Sequence, residues 1–312
     1  MKIFNEAAYL RYAVFFVISN PAADMTNKNS AIKLIECPRD AMQGWRHYIP
    51  TEKKIKYINA LLKVGFDTID FGSFVSPKVI PQMADTAEVL KGLQVDPLKT
   101  KLLAIVANER GAQEAVIYDE ITYLGFPFSI SPSFQQRNTN SSIGQSLQRV
   151  EAIQNLCIKN QKKLVIYISM GFGNIYGDDY NETILLHWID KMVAMGVEII
   201  SIADTVGIAT PQQVTSILSA VVPAYPDTEI GVHLHSTAIN WKDKIDAALQ
   251  AGCYRFDGAL KGIGGCPMAG DELVGNMDTE LMIPYFTGLH LLDNLNENAL
   301  QECSRFANEI FI

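Results

Sequence analysis

Two imidazoles fall two residues apart in Val232-His233-Leu234-His235, and on an extended strand residues i and i+2 share a face. Paired neutral imidazoles converging at the end of a strand make a good site for a divalent cation. A pair of hydrogen-bonded core histidines would leave the same pattern, so the reading depends on what else reaches the place. In Pro38-Arg39-Asp40 a carboxylate stands beside a guanidinium, whose charge keeps it ionised. That suits a metal ligand, and it also describes a plain ion pair at the rim of a fold. Gly262-Ile263-Gly264-Gly265-Cys266-Pro267 is a glycine-rich loop presenting a thiol. Glycines allow positive φ and close backbone approach, and a thiol of tuned pKa can donate or accept a proton. Most single cysteines are only small buried hydrophobes. Ten residues on, Asn276 in Val274-Gly275-Asn276-Met277 offers a neutral oxygen to complete an octahedral site, or else a turn or helix cap.

The elements that must position these groups show a regular alternation. Eight β-rich runs occur at 32–37, 67–72, 101–107, 126–130, 163–169, 198–203, 229–235 and 254–260, each followed by a longer mixed or amphipathic segment. Residues 51–64 carry Ile55, Ile58, Leu61 and Leu62 at helical spacing, and Pro211 opens a helix over 211–221. Eight βα alternations predict a (β/α)8 TIM barrel, with the segment beyond about residue 275 adding C-terminal helices. The alternative is an open doubly wound sheet, but no GxGxxG follows the first run. In a barrel, the loops after strands one and seven open on one rim with strand eight between them. Asp40 then meets His233 and His235 on one ion at the face where barrel enzymes place their chemistry.

Composition agrees with a large globular core: 312 residues, 48% hydrophobic and 19% charged. A formal net charge of −8 argues against a nucleic-acid partner held through phosphates. The five cysteines are scattered without CxxC spacing, so neither a zinc ribbon nor a disulfide framework is indicated and a reducing cytoplasm is the expected compartment. No apolar stretch is long enough to span a bilayer. Residues 1–30 read as an N-terminal extension ahead of a single domain over 31–312. Residues 13–18 imitate a short signal core with a poor cleavage site, and Met25 is an alternative start.

These residues resemble the metal-dependent barrel lyases of the 3-hydroxy-3-methylglutaryl-CoA lyase family over roughly 31–290. The resemblance rests on Glu36-Cys37-Pro38-Arg39-Asp40-Ala41-Met42-Gln43, Ser73-Phe74-Val75-Ser76-Pro77-Lys78 with Pro81-Gln82-Met83, and Ala203-Asp204-Thr205-Val206-Gly207 with Thr210-Pro211. The HxH pair and Gly264-Gly265-Cys266-Pro267 complete it. It implies cleavage of 3-hydroxy-3-methylglutaryl-CoA to acetyl-CoA and acetoacetate with Mg²⁺ or Mn²⁺, by a homodimer that needs no nucleic acid or membrane. Under it, Asp40, His233, His235 and Asn276 hold the ion, and Arg39 stabilises enolate charge. Cys266 protonates the acetyl-CoA enolate carbon as its loop closes. Asp204 and Asp70 orient a histidine or Arg39, and Gln43, Ser73 and Thr205 contact substrate. Related isopropylmalate and homocitrate synthases share the Arg-Asp and HxH elements, so a condensing enzyme is the alternative activity, as is a lyase acting on another 3-hydroxy acyl-CoA. A catalytically inactive barrel kept for binding is a third reading. The chain departs from the family at Asp70, where Glu is usual, at Ser236 after the HxH, at Ala41 for Gly, and over Met170-Gly171-Phe172-Gly173-Asn174.

Overall fold

The computed structural model describes residues 31–265, 274–293 and 295–312. The predicted runs become parallel strands because most are rich in aliphatic, β-branched and aromatic residues and are buried along nearly their whole length, as a sheet covered by helices requires. They are β1 (Lys33–Glu36), β2 (Thr68–Ser73), β3 (Lys101–Ile105), β4 (Ile121–Ser129), β5 (Lys163–Ser169), β6 (Ile199–Ala203), β7 (Glu229–His233) and β9 (Arg255–Gly258). They close in the order β1-β2-β3-β4-β5-β6-β7-β9, the (β/α)8 barrel the alternation predicts. β4 starts at Ile121 rather than at residue 126. Ile121-Thr122-Tyr123-Leu124 is strand-forming in its own right, and Gly125 does not break it. A Cβ at Gly125 would press on Ile105 and Leu103, so the glycine marks tight packing inside the barrel.

The helices follow in chain order as α1 (Pro38–Gln43), α2 (Thr51–Leu61), α3 (Thr86–Lys91), α4 (Glu109–Ala115), α5 (Pro132–Thr139), α6 (Ile143–Lys159), α7 (Glu182–Ala194), α8 (Pro211–Ala224), α9 (Trp241–Gln250), α10 (Thr279–Gly288) and α11 (Glu297–Ile310). Their starts are written in the sequence. Ser142 and Thr210 each make a reciprocal capping box with the glutamine three residues on, and Pro38, Pro132 and Pro211 occupy first-turn positions where a missing N–H costs nothing. The apolar core lies between sheet and helices, while Leu103, Ile105, Tyr123, Val165, Tyr167 and Ile199 form a separate cluster that packs inside the barrel through strand alternation.

Two features near the barrel mouth were not expected. The seventh run divides at Leu234, so that His233 ends β7 while His235 belongs to a second short strand, β8 (His235–Ser236). β8 pairs antiparallel with β10 (Gly275–Asn276), with Asn276 directly opposite His235. The register between β2 and β3 also shifts between Asp70 and Gly72, a bulge that re-aims a side chain at the rim.

Candidate metal centre and active site

Short-range geometry brings the predicted ligands together. Asp40 lies in the first turn of α1 and is 8% exposed. Its Oδ1 accepts from Arg39 Nη1 at 2.9 Å and Gln43 Nε2 at 3.2 Å, and its Oδ2 accepts from Asn276 Nδ2 at 2.8 Å. Burial pushes the Asp40 carboxyl up, but Arg39, His233, the Asn276 hydrogen bond and His235 outweigh it and hold it down at about 2. It is therefore anionic at any working pH. The His233 and His235 ring centroids lie 5.3 Å apart. His233 Nδ1 is 3.1 Å from Asp257 Oδ2 and His235 Nδ1 is 2.9 Å from the Val274 carbonyl, which leaves Nε2 of each ring as the free nitrogen. Burial alone would lower the His233 pKa, and the Asp257 hydrogen bond and charge reverse this and raise it. His235 is lowered, by burial first and by His233 second.

The most informative atom is Asn276 Oδ1. Its amide nitrogen is spent on Asp40 and on the Ile263 carbonyl, while Oδ1 is buried with no hydrogen-bond partner among the described residues. A buried oxygen of this kind beside an ionised carboxylate and two imidazoles is what a bound divalent cation would satisfy. The donor set of two oxygens and two imidazole nitrogens suits a divalent ion such as Mg²⁺ or Mn²⁺.

Arg39 is fixed from three sides. Its Nε donates to Asp70 Oδ1 and Oδ2 at 3.2 and 3.0 Å, its Nη2 donates to Asp70 Oδ2, and its Nη1 also reaches Gln43 Oε1 at 2.9 Å. The shorter Asp70 thus still makes a two-pronged contact, because the β2 bulge supplies the reach. Burial outweighs the Arg39 charge and raises Asp70 to about 6, leaving it mostly ionised at neutral pH. One Nη2 proton of Arg39 remains for a substrate oxygen.

The remaining predicted residues divide. Arg39, Asp40, Gln43, Thr205, His233 and His235 all line one cavity of about 180 Å³, together with Ser169, Tyr167 and an apolar wall that includes Val75, Ile105 and Phe134. Thr205 Oγ1 also accepts from the Met170 N–H at 2.8 Å, where Met170 holds φ at +60°. Ser73 is not among the lining residues; it is buried, and its Oγ accepts from the Val75 N–H at 3.2 Å, shaping the loop after β2. Asp204 contacts neither histidine ring nor Arg39. Its Oδ2 accepts from Lys244 Nζ at 2.8 Å and its Oδ1 from the Ala209 N–H at 3.0 Å, and Lys244 Nζ then donates to the His235 carbonyl at 2.7 Å. Asp204 thus acts on the second histidine through a lysine and its backbone. Cys266 lies outside the described residues.

Two working residues escaped the sequence reading, Asp257 and Lys244. Asp257 was visible as a carboxylate inside the otherwise strand-forming Arg255-Phe256-Asp257-Gly258. Lys244 was visible as a lysine on the apolar face of α9, beside Ile245, Ala247 and Ala248.

Comparison with known proteins shows the family. The HMGL-like family profile matches residues 31–307. The chain belongs to the HMGL-like family. Among curated relatives of this HMGL-like protein, the mitochondrial hydroxymethylglutaryl-CoA lyase of Bos taurus is 34% identical over 278 residues, covering 88% of this chain and 84% of the relative. The cytoplasmic 3-hydroxy-3-methylglutaryl-CoA lyase of Rattus norvegicus is 32% identical over 91% of this chain and 82% of its own length. The hydroxymethylglutaryl-CoA lyase of Pseudomonas aeruginosa superposes with a TM-score of 0.83 at 30% identity, covering 91% of this chain and 94% of that one. An HMG-CoA lyase from Acinetobacter baumannii, solved with coenzyme A and 3-methylmalate, superposes at 0.84 and 29% identity, over 92% and 93% of the two chains. Among the described residues of the HMGL-like chain, no helix is long and apolar enough to cross a membrane.

Proposed function

We propose that the protein cleaves 3-hydroxy-3-methylglutaryl-CoA to acetyl-CoA and acetoacetate with Mg²⁺ or Mn²⁺, acting as a homodimer in the cytoplasm. The observation that carries the reading is Asn276 Oδ1, buried and without a hydrogen-bond partner among the described residues, next to Asp40, which itself lines a cavity with Arg39 and both histidines. A second cavity, of about 380 Å³, lies on the other side of Asp40 between Trp45, Arg46 and His47 and the Ile263-Gly264-Gly265 turn. Two cavities meeting at the ion-binding carboxylate suit a substrate with a compact acyl head and a long thioester arm.

When bound, the ion supplies Lewis-acid polarisation that lowers the pKa of the substrate's tertiary hydroxyl. Asp40, His233, His235 and Asn276 would hold it, and Asp257 and the Val274 carbonyl keep the two rings turned so that Nε2 faces inward. Arg39, kept still by Asp70, Asp40 and Gln43, offers its spare Nη2 proton to the thioester oxygen as negative charge develops there on C–C cleavage. The apolar wall of the acyl cavity excludes water from the carbanionic product. Cys266, which follows Gly264 and Gly265 in sequence, supplies the proton to the acetyl-CoA carbon, and the proton released from the substrate hydroxyl restores the thiol.

The test is acetyl-CoA release from 3-hydroxy-3-methylglutaryl-CoA with Mg²⁺ or Mn²⁺, against a chelator control and Cys266→Ala. Metal-dependent cleavage that collapses in both controls is expected. Robust Mn²⁺ binding with no cleavage would overturn the substrate assignment, and an unchanged kcat in Cys266→Ala would remove the thiol from the mechanism.

A further inference from the structure

The carboxylate that orients His233 has another neighbour. Cys37 follows β1, and its Sγ, a His233 ring nitrogen and an Asp257 oxygen all lie within 4.8 Å of one another. They come from β7, β9 and the end of β1, which are adjacent in the barrel. Cys37 and Asp257 are 1% and 2% exposed. Among the described residues neither is fully used: the Cys37 thiol reaches only the Ile35 carbonyl, at 3.9 Å, and Asp257 Oδ1 has no hydrogen-bond partner. Burial first, and then the carboxylates of Asp257, Asp70 and Asp40, push the Cys37 thiol well up, with Arg39 opposing them.

We propose that Cys37, His233 and Asp257 form a second, thiol-containing cation site that takes a thiophilic divalent ion of the zinc type. Sulfur and imidazole together select such an ion over Mg²⁺. Bonds of about 2.0–2.3 Å place the ligand atoms of a tetrahedral site roughly 3.5 Å apart. His233 Nδ1 and Asp257 Oδ2 are already 3.1 Å apart, so only the sulfur has to close in. As the Sγ–metal bond forms, the thiol proton leaves to solvent. His233 gives up its Nδ1–H bond to Asp257 and carries its proton on Nε2 instead. With Nε2 protonated, His233 no longer serves the ion held by Asp40, His235 and Asn276. The two sites therefore compete for one imidazole, and zinc acts as an inhibitor that turns His233 over.

Titration of the metal-free protein with Co²⁺ tests this, since a cobalt–thiolate bond gives a near-ultraviolet charge-transfer band. The wild type is expected to show the band, Cys266→Ser to retain it, and Cys37→Ser to lose it with the fold intact by circular dichroism. Asp257→Asn, which keeps the shape and removes the charge, is expected to shift the band to at least tenfold higher Co²⁺. In parallel, displacement of Mn²⁺ by Zn²⁺, followed by the resonance of free Mn²⁺, should need at least tenfold more Zn²⁺ in Cys37→Ser than in the wild type. Absence of the band in the wild type, its survival in Cys37→Ser, or identical displacement curves would overturn the proposal. No readout depends on turnover, so its failure is separable from failure of the lyase reading.

Discussion

Lys244 should hold the metal centre together from beneath. Its ammonium is 1% exposed in an ion pair with Asp204, whose side chain is fully buried, at 2.8 Å, and it also donates to the His235 carbonyl at 2.7 Å. In Lys244→Met the aliphatic stem is replaced almost atom for atom, so little packing is lost. What remains is a buried Asp204 carboxylate whose only other polar contact among the described residues is the Ala209 N–H at 3.0 Å. Stripping one partner from a buried pair costs about 3–5 kcal/mol, mostly through the stranded charge. A barrel of this size loses about 2 °C of Tm per kcal/mol, so Tm should fall by roughly 6–10 °C. Adding Asp204→Asn removes the stranded charge and should restore at least half of the loss, a coupling well outside additivity. Because Lys244 also fixes the His235 backbone, Mn²⁺ affinity in the single variant should drop about tenfold or more. Calorimetric melting and Mn²⁺ titration read the two effects. A Tm within about 2 °C of wild type, or a double variant no better than the sum of the singles, would refute the reasoning.

Three further outcomes follow from the same geometry. Gly264 holds φ at +104°, and a Cβ there would stand 2.6 Å from Asn276 Nδ2 and 3.0 Å from Ala41 Cα. Gly264→Ala should therefore cost about 1–3 kcal/mol and weaken Mn²⁺ binding, and a variant that binds Mn²⁺ as the wild type does would count against Asn276 as a ligand. Glu36 is buried and accepts from the Leu260 N–H and the Thr279 hydroxyl, and burial raises it from 4.5 to about 8. A raised carboxyl binds more protons when folded, so its stabilising contribution is complete below about pH 4.5 and fades as pH rises through about 8, with a slope of at most about 1.4 kcal/mol per pH unit. Thermal melts of Glu36→Gln over that window should flatten relative to wild type, and parallel curves would exclude the residue. Asp70→Asn keeps the shape but removes the anion that grips Arg39 at Nε and Nη2, so kcat should fall about tenfold or more, and an unchanged kcat would show that Arg39 needs no such support.

Much of the architecture was legible before any coordinates. Strand runs at 32–37, 163–169 and 198–203 matched β1, β5 and β6 closely because a helix start is marked nearby in sequence, by Pro38 after β1, by the Ser142 capping box ahead of the helix before β5, and by the Thr210 capping box after β6. The beginning of β4 was missed because Gly125 punctuates a strand whose interior packing demands a glycine. Arg39, Asp40, His233 and His235 were legible because each pair is local in sequence and each sits at or within a few residues after the C-terminal end of a barrel strand, β1 or β7.

Local chemistry along the chain thus determined the barrel, the rim that bears the site, and the donor types gathered there. The folded chain alone decided the pairings between residues far apart in sequence. Asn276 faces His235 through a two-residue antiparallel bridge, Asp257 turns His233, the β2 bulge lets a short Asp70 grip Arg39, and Lys244 joins Asp204 to the His235 carbonyl. Periodicity reports which face of an element is buried, not which partner waits across the barrel. Closure of the sheet brings β7, β9 and β1 side by side, and burial then requires each polar group to find the partner that closure has placed within reach.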